Sequence, residues 1–297
     1  MRKISLSVFA VFTVLCLAAA EFTGEHDKVP AGTLQIAQID FADEIGDSYI
    51  IRTPENRVIL LDAGRANTAE SHLIPALNKH KITHIDTVIL THFHIDHVGG
   101  LYAVLNDPGI TIGGILYSSM PEKDIPGEFT RKVFRRIMML ADRGNIPVRK
   151  LEVGDRIDFG GGIYGDVFGA AQAGSKDYNL NSHSLVFKMH YKDFTVLFTG
   201  DCSLQEEPRI FAGKFDLKSD LLKVAHHAGI NNTSKEFLDA VSPKAAMADK
   251  PLWLSKDSRS FRVEGMIRER KIPFYRAGEY PRTVFFSDGR TFGVCVK

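Results

Sequence analysis

Thr87-Val88-Ile89-Leu90-Thr91-His92-Phe93-His94-Ile95-Asp96-His97-Val98-Gly99-Gly100 decides how this chain is read. Residues 87–90 have the composition of a short strand buried on both faces. The six residues from His92 to His97 then present three imidazoles and a carboxylate. His92 and His94 are two apart, so on extended backbone their rings point the same way. Asp96 and His97 follow after a slight turn. Such a set of nitrogen and oxygen donors matches the preferences of zinc, with manganese or iron as alternatives. A histidine-rich surface loop is the bland alternative, but such a loop has no reason to follow a buried strand directly.

Outward from this stretch, strands and helices alternate. Leu34–Ile39 and Tyr49–Arg52 read as strands, and Val58–Leu61 is a second continuous apolar run, ending at the turn Asp62-Ala63-Gly64. A helix is expected over Ala69–His80. Glu128–Arg143 reads as an amphipathic helix, with Phe134, Ile137, Met138 and Ala141 forming one apolar stripe and Arg131, Lys132, Arg135 and Arg136 on the other face. A solvated surface explains those cations better than a polyanion site does. Ser184–Tyr191 and Phe194–Thr199 form an expected hairpin turning at Lys192-Asp193. Leu221–Ala225 is a short strand that runs into His226-His227. Helices are expected over Ser234–Val241 and Phe261–Arg270, and strands over Thr283–Ser287 and Arg290–Val296, joined by the hairpin turn Asp288-Gly289. Ligands on strand-end loops in this mixture favour a layered α/β domain.

The first twenty residues stand apart. Arg2 and Lys3 precede the apolar run Ile4–Leu17, and Ala18-Ala19-Ala20 offers small residues for cleavage before Glu21. We expect residues 1–20 to be a secretory signal peptide, residues 21–30 a short leader, and residues 31–297 one domain, placing the mature protein outside the cell or in a periplasm. The apolar run is shorter than the roughly 20 residues that span a bilayer, and no membrane span is expected in the mature chain. Losing Arg2 and Lys3 takes the 37 basic side chains to 35, against 36 acidic ones. A chain so nearly neutral is not built to hold nucleic acid in a stable complex. Cys202 and Cys295 survive processing, and sequence alone leaves their pairing open. Oligomeric state is likewise open.

Four stretches together resemble the metallo-β-lactamase superfamily. Thr91–Gly100 is similar to its histidine motif, Leu61-Asp62-Ala63-Gly64 to its first strand-end motif, Leu197–Asp201 to the segment bearing its metal-bridging aspartate, and Lys223–His227 to its last histidine motif. Ser184–Phe187, Thr199–Asp201 and Val241–Lys244 are similar to the subgroup containing the metallo-β-lactamase-like domain of DNA-uptake competence proteins and phosphorylcholine esterases. The resemblance covers nearly all of residues 31–297 and implies an αββα four-layer sandwich. It implies two divalent metal ions, most simply Zn2+, with His92 and His94 on one, Asp96 and His97 on the other, and Asp201 bridging both. His227 is the favoured ligand of the last pair, with His226 facing substrate; the reverse assignment stays open. His183 is the expected remaining ligand, from the segment Asn179–Ser184, with Asn181 as the alternative. A substrate role in the segment Ala248–Trp253 falls to Lys250 or Trp253. His26, His72, His80, His84 and His190 read as solvated.

Two metals roughly 3.5–4 Å apart lower the pKa of a bridging water to about 7, so hydrolysis needs no side-chain nucleophile. No Gly-x-Ser-x-Gly elbow and no phosphate-binding loop supports another chemistry. Gly160-Gly161-Gly162 reads as a turn. Asp96 or Asp201 is expected to position the water, and His226 or a bound water to protonate the leaving group. The subgroup implies a phosphodiester or other small-molecule substrate; an ester, lactone or lactam is the alternative, as is a metal-binding module without turnover.

Overall fold

The computed structural model describes residues 20–172, 179–229, 231–256, 261–280 and 282–297. The expected signal segment, apart from Ala20, lies outside them. Two large sheets dominate. In spatial order the nine-stranded sheet runs Glu21–His26, Thr291–Val296, Thr283–Ser287, Leu34–Gln38, Tyr49–Arg52, Val58–Leu61, Thr87–Leu90, Ile115–Ser118 and Val148–Leu151. The seven-stranded sheet runs Arg156–Gly160, Ile163–Gly169, Val186–Tyr191, Phe194–Phe198, Leu221–Lys223, Ala245–Ala248 and Phe274–Arg276.

The continuous apolar runs are continuous because each strand is covered twice. In Val58–Leu61, Ile59 and Leu61 face the core between the sheets, while Val58 and Leu60 face an outer helical layer. Ile89 faces inward, and Val88 and Leu90 outward. The seven-stranded sheet repeats the pattern: Phe187, Val196, Phe198 and Leu221 meet the inner core, whereas Val186, Leu197 and Leu222 meet the other helical layer. Successive side chains on a strand point to opposite faces, so four layers require this alternation of two apolar sets. Helix Glu128–Arg143 belongs to one outer layer and buries Val133, Phe134, Ile137, Leu140 and Ala141. Helices Lys235–Val241 and Phe261–Glu269 belong to the other. The result is an αββα sandwich.

Two expectations are corrected, and one open point is closed. The supposed leader contains a strand, Glu21–His26, which pairs in parallel with Thr291–Val296. The helix expected over Ala69–His80 begins earlier, at Ala66–Thr68, widens into a π-helical turn over Ala69–Leu73, and finishes as Ile74–Lys79. Cys202 and Cys295 are both buried and unpaired. The triple glycine does form a turn: Gly160, Gly161 and Gly162 have φ of +81°, +60° and +77°, between antiparallel strands Arg156–Gly160 and Ile163–Gly169.

Candidate metal centre

The C-terminal ends of the parallel strands in both sheets point to one edge of the sandwich. Val58–Leu61 delivers Asp62 there, Thr87–Leu90 delivers His92–His97, Phe194–Phe198 delivers Asp201, and Leu221–Lys223 delivers His226-His227. Tyr49–Arg52 runs antiparallel to Val58–Leu61, with Tyr49 opposite Leu61, so its start brings Asp47 to the same edge.

Local chemistry fixes the loops. Asp62 has φ of +54° and turns its carboxylate back onto the next strand end, accepting from Thr91 N at 2.8 Å and Thr91 Oγ1 at 2.7 Å. The short helix Ile95–Val98 then seats against Ala63, whose N donates to His97 O at 2.6 Å. Gly100 is required at this contact, because a Cβ would lie 2.0 Å from Ala63 O. Asp47 N donates to Asp96 O at 3.0 Å and Gly64 N to Asp47 O at 2.9 Å, stitching three loops together. On the other sheet, Gly200 takes φ of +49° in a space where a Cβ would press on Thr91 and Ser184.

Two groups of ligating atoms result. His92, His94 and Asp201 form one. His92 Nε2 lies 2.9 Å from His94 Nδ1 and 3.8 Å from Asp201 Oδ2. The other brings together Asp47, His97 and His227, and Asp96 and Asp201 reach the same two rings from the side facing the first group. His97 Nε2 is 3.2 Å from Asp201 Oδ2; His227 Nε2 is 3.6 Å from Asp96 Oδ2 and 3.9 Å from Asp201 Oδ2. Asp201 Oδ2 thus faces both groups. His97 Nε2, His227 Nε2 and Asp201 Oδ1 are buried without hydrogen-bond partners, an arrangement costly unless a cation fills it. Three nitrogen or carboxylate ligands on one side, and His97, His227, Asp96 and Asp201 on the other, fit a pair of divalent metals.

Asp47 also lies within reach of His97 and His227, but on the opposite side of the rings. It is 3.1 Å from His227 Nδ1 and 3.9 Å from His97 Nδ1. His97 Nδ1 sits 2.8 Å from Asp62 Oδ2, and His227 Nδ1 2.6 Å from Asp249 O. These partners hold the rings by Nδ1 and turn Nε2 inward, as carboxylates and carbonyls do behind metal-bound imidazoles. The Lys223 ammonium is buried in an ion pair with Asp47, donates to Gly200 O at 2.8 Å and lies 3.7 Å from Asp201 Oδ1.

The electrostatics carry the same message. Burial disfavours the His97 cation, yet Asp201, Asp62 and Asp47 outweigh it and hold the pKa well above the usual range. Burial opposes the His227 cation too, but Asp47 and Asp201 push its pKa up to about 10. The Asp201 carboxyl, despite burial, is held well below the usual range by His97 and His227. This pocket therefore demands positive charge, which protons supply when no metal is bound. His92 differs: burial first, then the neighbouring His97, holds its pKa well below normal, so its ring stays neutral.

Of the expected ligands, His92, His94, Asp96, His97, Asp201 and His227 converge. His183 does not. It ends a single 3-10 turn, Leu180–His183, with its carbonyl accepting from Ser118 Oγ, and joins neither group. That turn carries Asn181 to the site instead, with Nδ2 3.4 Å from His226 Nε2. His226 and His227 separate because both have positive φ, +48° and +53°: His227 is buried, while the His226 side chain is 42 % exposed, with Nε2 3.9 Å from Asp201 Oδ2. Lys250 is fully buried against Glu264 Oε1 at 2.5 Å, so a substrate role is closed to it; Trp253 is exposed and donates to Asp43 O. His26, His72, His80, His84 and His190 join neither group. Asp47, Lys223 and Asp249 were missed. An aspartate just ahead of a buried strand, as in Gly46-Asp47-Ser48, was the available signal.

The chain is 28% identical over 205 residues to competence protein ComA of Neisseria gonorrhoeae, covering 68% of this chain and 25% of that protein. It is 24% identical over 258 residues to ComE operon protein 3 of Bacillus subtilis, covering 81% of this chain and 30% of that protein. It thus spans about a quarter to a third of the length of these relatives. Among solved structures, Igni18, a metallo hydrolase from Ignicoccus hospitalis, superimposes with a TM-score of 0.48 at 12% identity, covering 85% of this chain and 98% of that one. The profile of the metallo-beta-lactamase superfamily matches residues 42–248, a span that holds every residue of both ligand groups, and the chain belongs to that superfamily.

Proposed function

We propose that this is an exported two-metal hydrolase acting on a phosphodiester, with residues 1–20 as its signal peptide and the strand Glu21–His26 joining residues 31–297 in the hydrolase domain. The observation that carries the reading is Asp201 Oδ2, which faces nitrogens of both ligand groups at 3.2 to 3.9 Å and so can bridge two cations. His92, His94 and Asp201 would hold one ion, and Asp96, His97, His227 and Asp201 the other, with Zn2+ the simplest fit. Bound there, the metals would supply Lewis acidity and an activated water. Three protein ligands on the first ion would leave a position for water and substrate, which a closed four-ligand site would not.

The residues of the chain divide the remaining work. Asp62, Asp47 and the Asp249 carbonyl keep the inward nitrogens of His97 and His227 unprotonated when a cation is present. Asp96, 17 % exposed, sits at the solvent side of the cluster and is placed to accept a hydrogen bond from the attacking water. Burial, and behind it His227, holds the His226 pKa below normal, so its ring is neutral near pH 7 and offers one N–H to the departing oxygen. On the basic helix face Arg131 pairs with Glu128 and Arg135 with Glu122, which leaves two of its four cations less available to a polyanion.

The test is metal content and turnover together. Mature protein loaded with Zn2+ or Mn2+ is expected to hold two ions per chain and hydrolyse bis(p-nitrophenyl) phosphate. One ion or none, with no hydrolysis of diesters, esters, lactones or lactams, would sink the hydrolase reading. Export is checked by N-terminal sequencing of the secreted protein, which should begin at Glu21.

A further inference from the structure

Beside the metal centre lies a second cavity, of about 290 Å³, that the proposed reaction leaves unexplained. It shares His226 with the centre. Its other polar walls are Asn179, Asn181, Ser203, Gln205 and Asn231, so four of its side chains are carboxamides. No lysine, arginine, aspartate or glutamate lines it among the described residues.

The walls come from three loops, each leading to or from a proposed ligand or its neighbour. They are tied to one another. Asn179 Oδ1 accepts from Asn181 N at 3.1 Å, Ser203 Oγ lies 2.9 Å from Ser182 Oγ, and Leu204 N donates to Asn231 O at 3.1 Å. Asn181 is the deepest of the amides, 8 % exposed, and its Oδ1 has no hydrogen-bond partner. A buried carbonyl oxygen left without a donor is costly, so a ligand donor at this wall recovers energy that the free protein forgoes. Gln205 and Asn231 are exposed at the rim and reach the same space.

Carboxamides present a donor and an acceptor on one plane without net charge. They read hydroxyl groups, amides and base edges. They give a second phosphate or a carboxylate nothing comparable to an arginine fork or a lysine ammonium. We propose that this cavity is the subsite for a neutral, hydroxyl- or amide-bearing arm of the substrate, with Asn181, Gln205 and Asn231 as its specificity-determining residues. The substrate class is then a small phosphodiester with one sugar-, glycerol- or nucleoside-like arm, whose phosphate lies at the metals. This rests on the phosphodiesterase reading above. A space of about 290 Å³ suits one such group and not a run of charged nucleotides.

Three p-nitrophenyl phosphodiesters that differ only in the other arm test the subsite on metal-loaded protein: thymidine, glycerol and phenyl. The kcat/KM for the thymidine or the glycerol ester should exceed that for the phenyl ester by at least about tenfold, since a site built to hydrogen-bond disfavours an arm that cannot. Gln205→Ala and Asn231→Ala should each pull that ratio towards one, and whichever ester loses more identifies the arm. A ratio near one in the unaltered protein, or one that neither variant moves, overturns the proposal. Should none of the three diesters turn over, the phosphodiesterase reading has failed, and calorimetric binding of thymidine 5′-monophosphate and glycerol 3-phosphate decides the subsite alone. Binding at least about tenfold weaker in the double variant upholds it; equal binding, or none to the unaltered protein, overturns it.

Discussion

The two halves of the metal centre are built to different standards. Around His97 and His227, each ring is gripped through Nδ1 by Asp62, Asp47 or the Asp249 carbonyl, and Asp47 is itself neutralised by Lys223. Around His92 and His94 there is little such backing. His92 Nδ1 has Thr91 Oγ1 at 3.2 Å, while His94 is part-exposed and its Nδ1 faces His92 Nε2. A ligand whose orientation is fixed before the metal arrives loses less freedom on binding. The His97–His227 half should therefore load first and release last, leaving the His92–His94 half as the more readily exchanged side.

Replacing the residue that joins the halves should have the largest effect. Asp201→Ala is expected to lose both metal equivalents, measured by atomic absorption, and with them all turnover above the metal-free background. Retention of one equivalent would mean that the halves are independent. Next comes the support of the stronger half. Lys223→Met leaves the Asp47 carboxylate buried without its cation and should cost about 3–5 kcal/mol in urea unfolding. A loss under about 1 kcal/mol would remove the Lys223–Asp47 pair from the account of that half's rigidity.

A pH effect follows from the same asymmetry. His227 has its pKa raised from 6.5 to about 10 in the folded, metal-free protein. The stabilisation from its proton is therefore complete below pH 6.5 and lost as pH climbs to about 10. Metal-free protein should melt at a lower temperature at pH 10 than at pH 6.5, and Zn2+, by displacing that proton, should flatten the slope. A slope that metal leaves intact would assign it to groups elsewhere. The smallest expected effect is on metal content in His183→Ala: both equivalents should remain, since His183 lies in neither ligand group. Loss of one equivalent would return His183 to the weaker half.

How much of this could be read in advance depended on whether a residue's role was local. Val58–Leu61, Thr87–Leu90 and Glu128–Arg143 have the bounds read from sequence, because burial on two faces or on one helical stripe writes itself into consecutive residues. The motif His92–His97 was legible for the same reason. Asp47 and Asp249 were not: Ser48 N meets Asp249 Oδ2 across 201 residues of chain, and only the pairing of strand ends from two sheets brings them together. Strand Val148–Leu151 was missed because three of its four residues are exposed at a sheet edge, where charge guards the unpaired backbone instead of announcing a core. His183 was misplaced because one residue's shift within a tight turn decides which side chain faces the metals.

The strand Glu21–His26 has a bearing on kinetics. It lies against Thr291–Val296, and Thr23 Oγ1 donates to Phe292 O across 269 positions. The nine-stranded sheet therefore cannot be finished until Thr291–Val296 has been made, since Glu21–His26 must wait for that strand. Closing so long a loop comes at the slow end of folding, after local helices and hairpins have formed. Until then the flank of Thr291–Val296 is an open edge able to accept a foreign strand, so trapping or misassembly should begin at that seam.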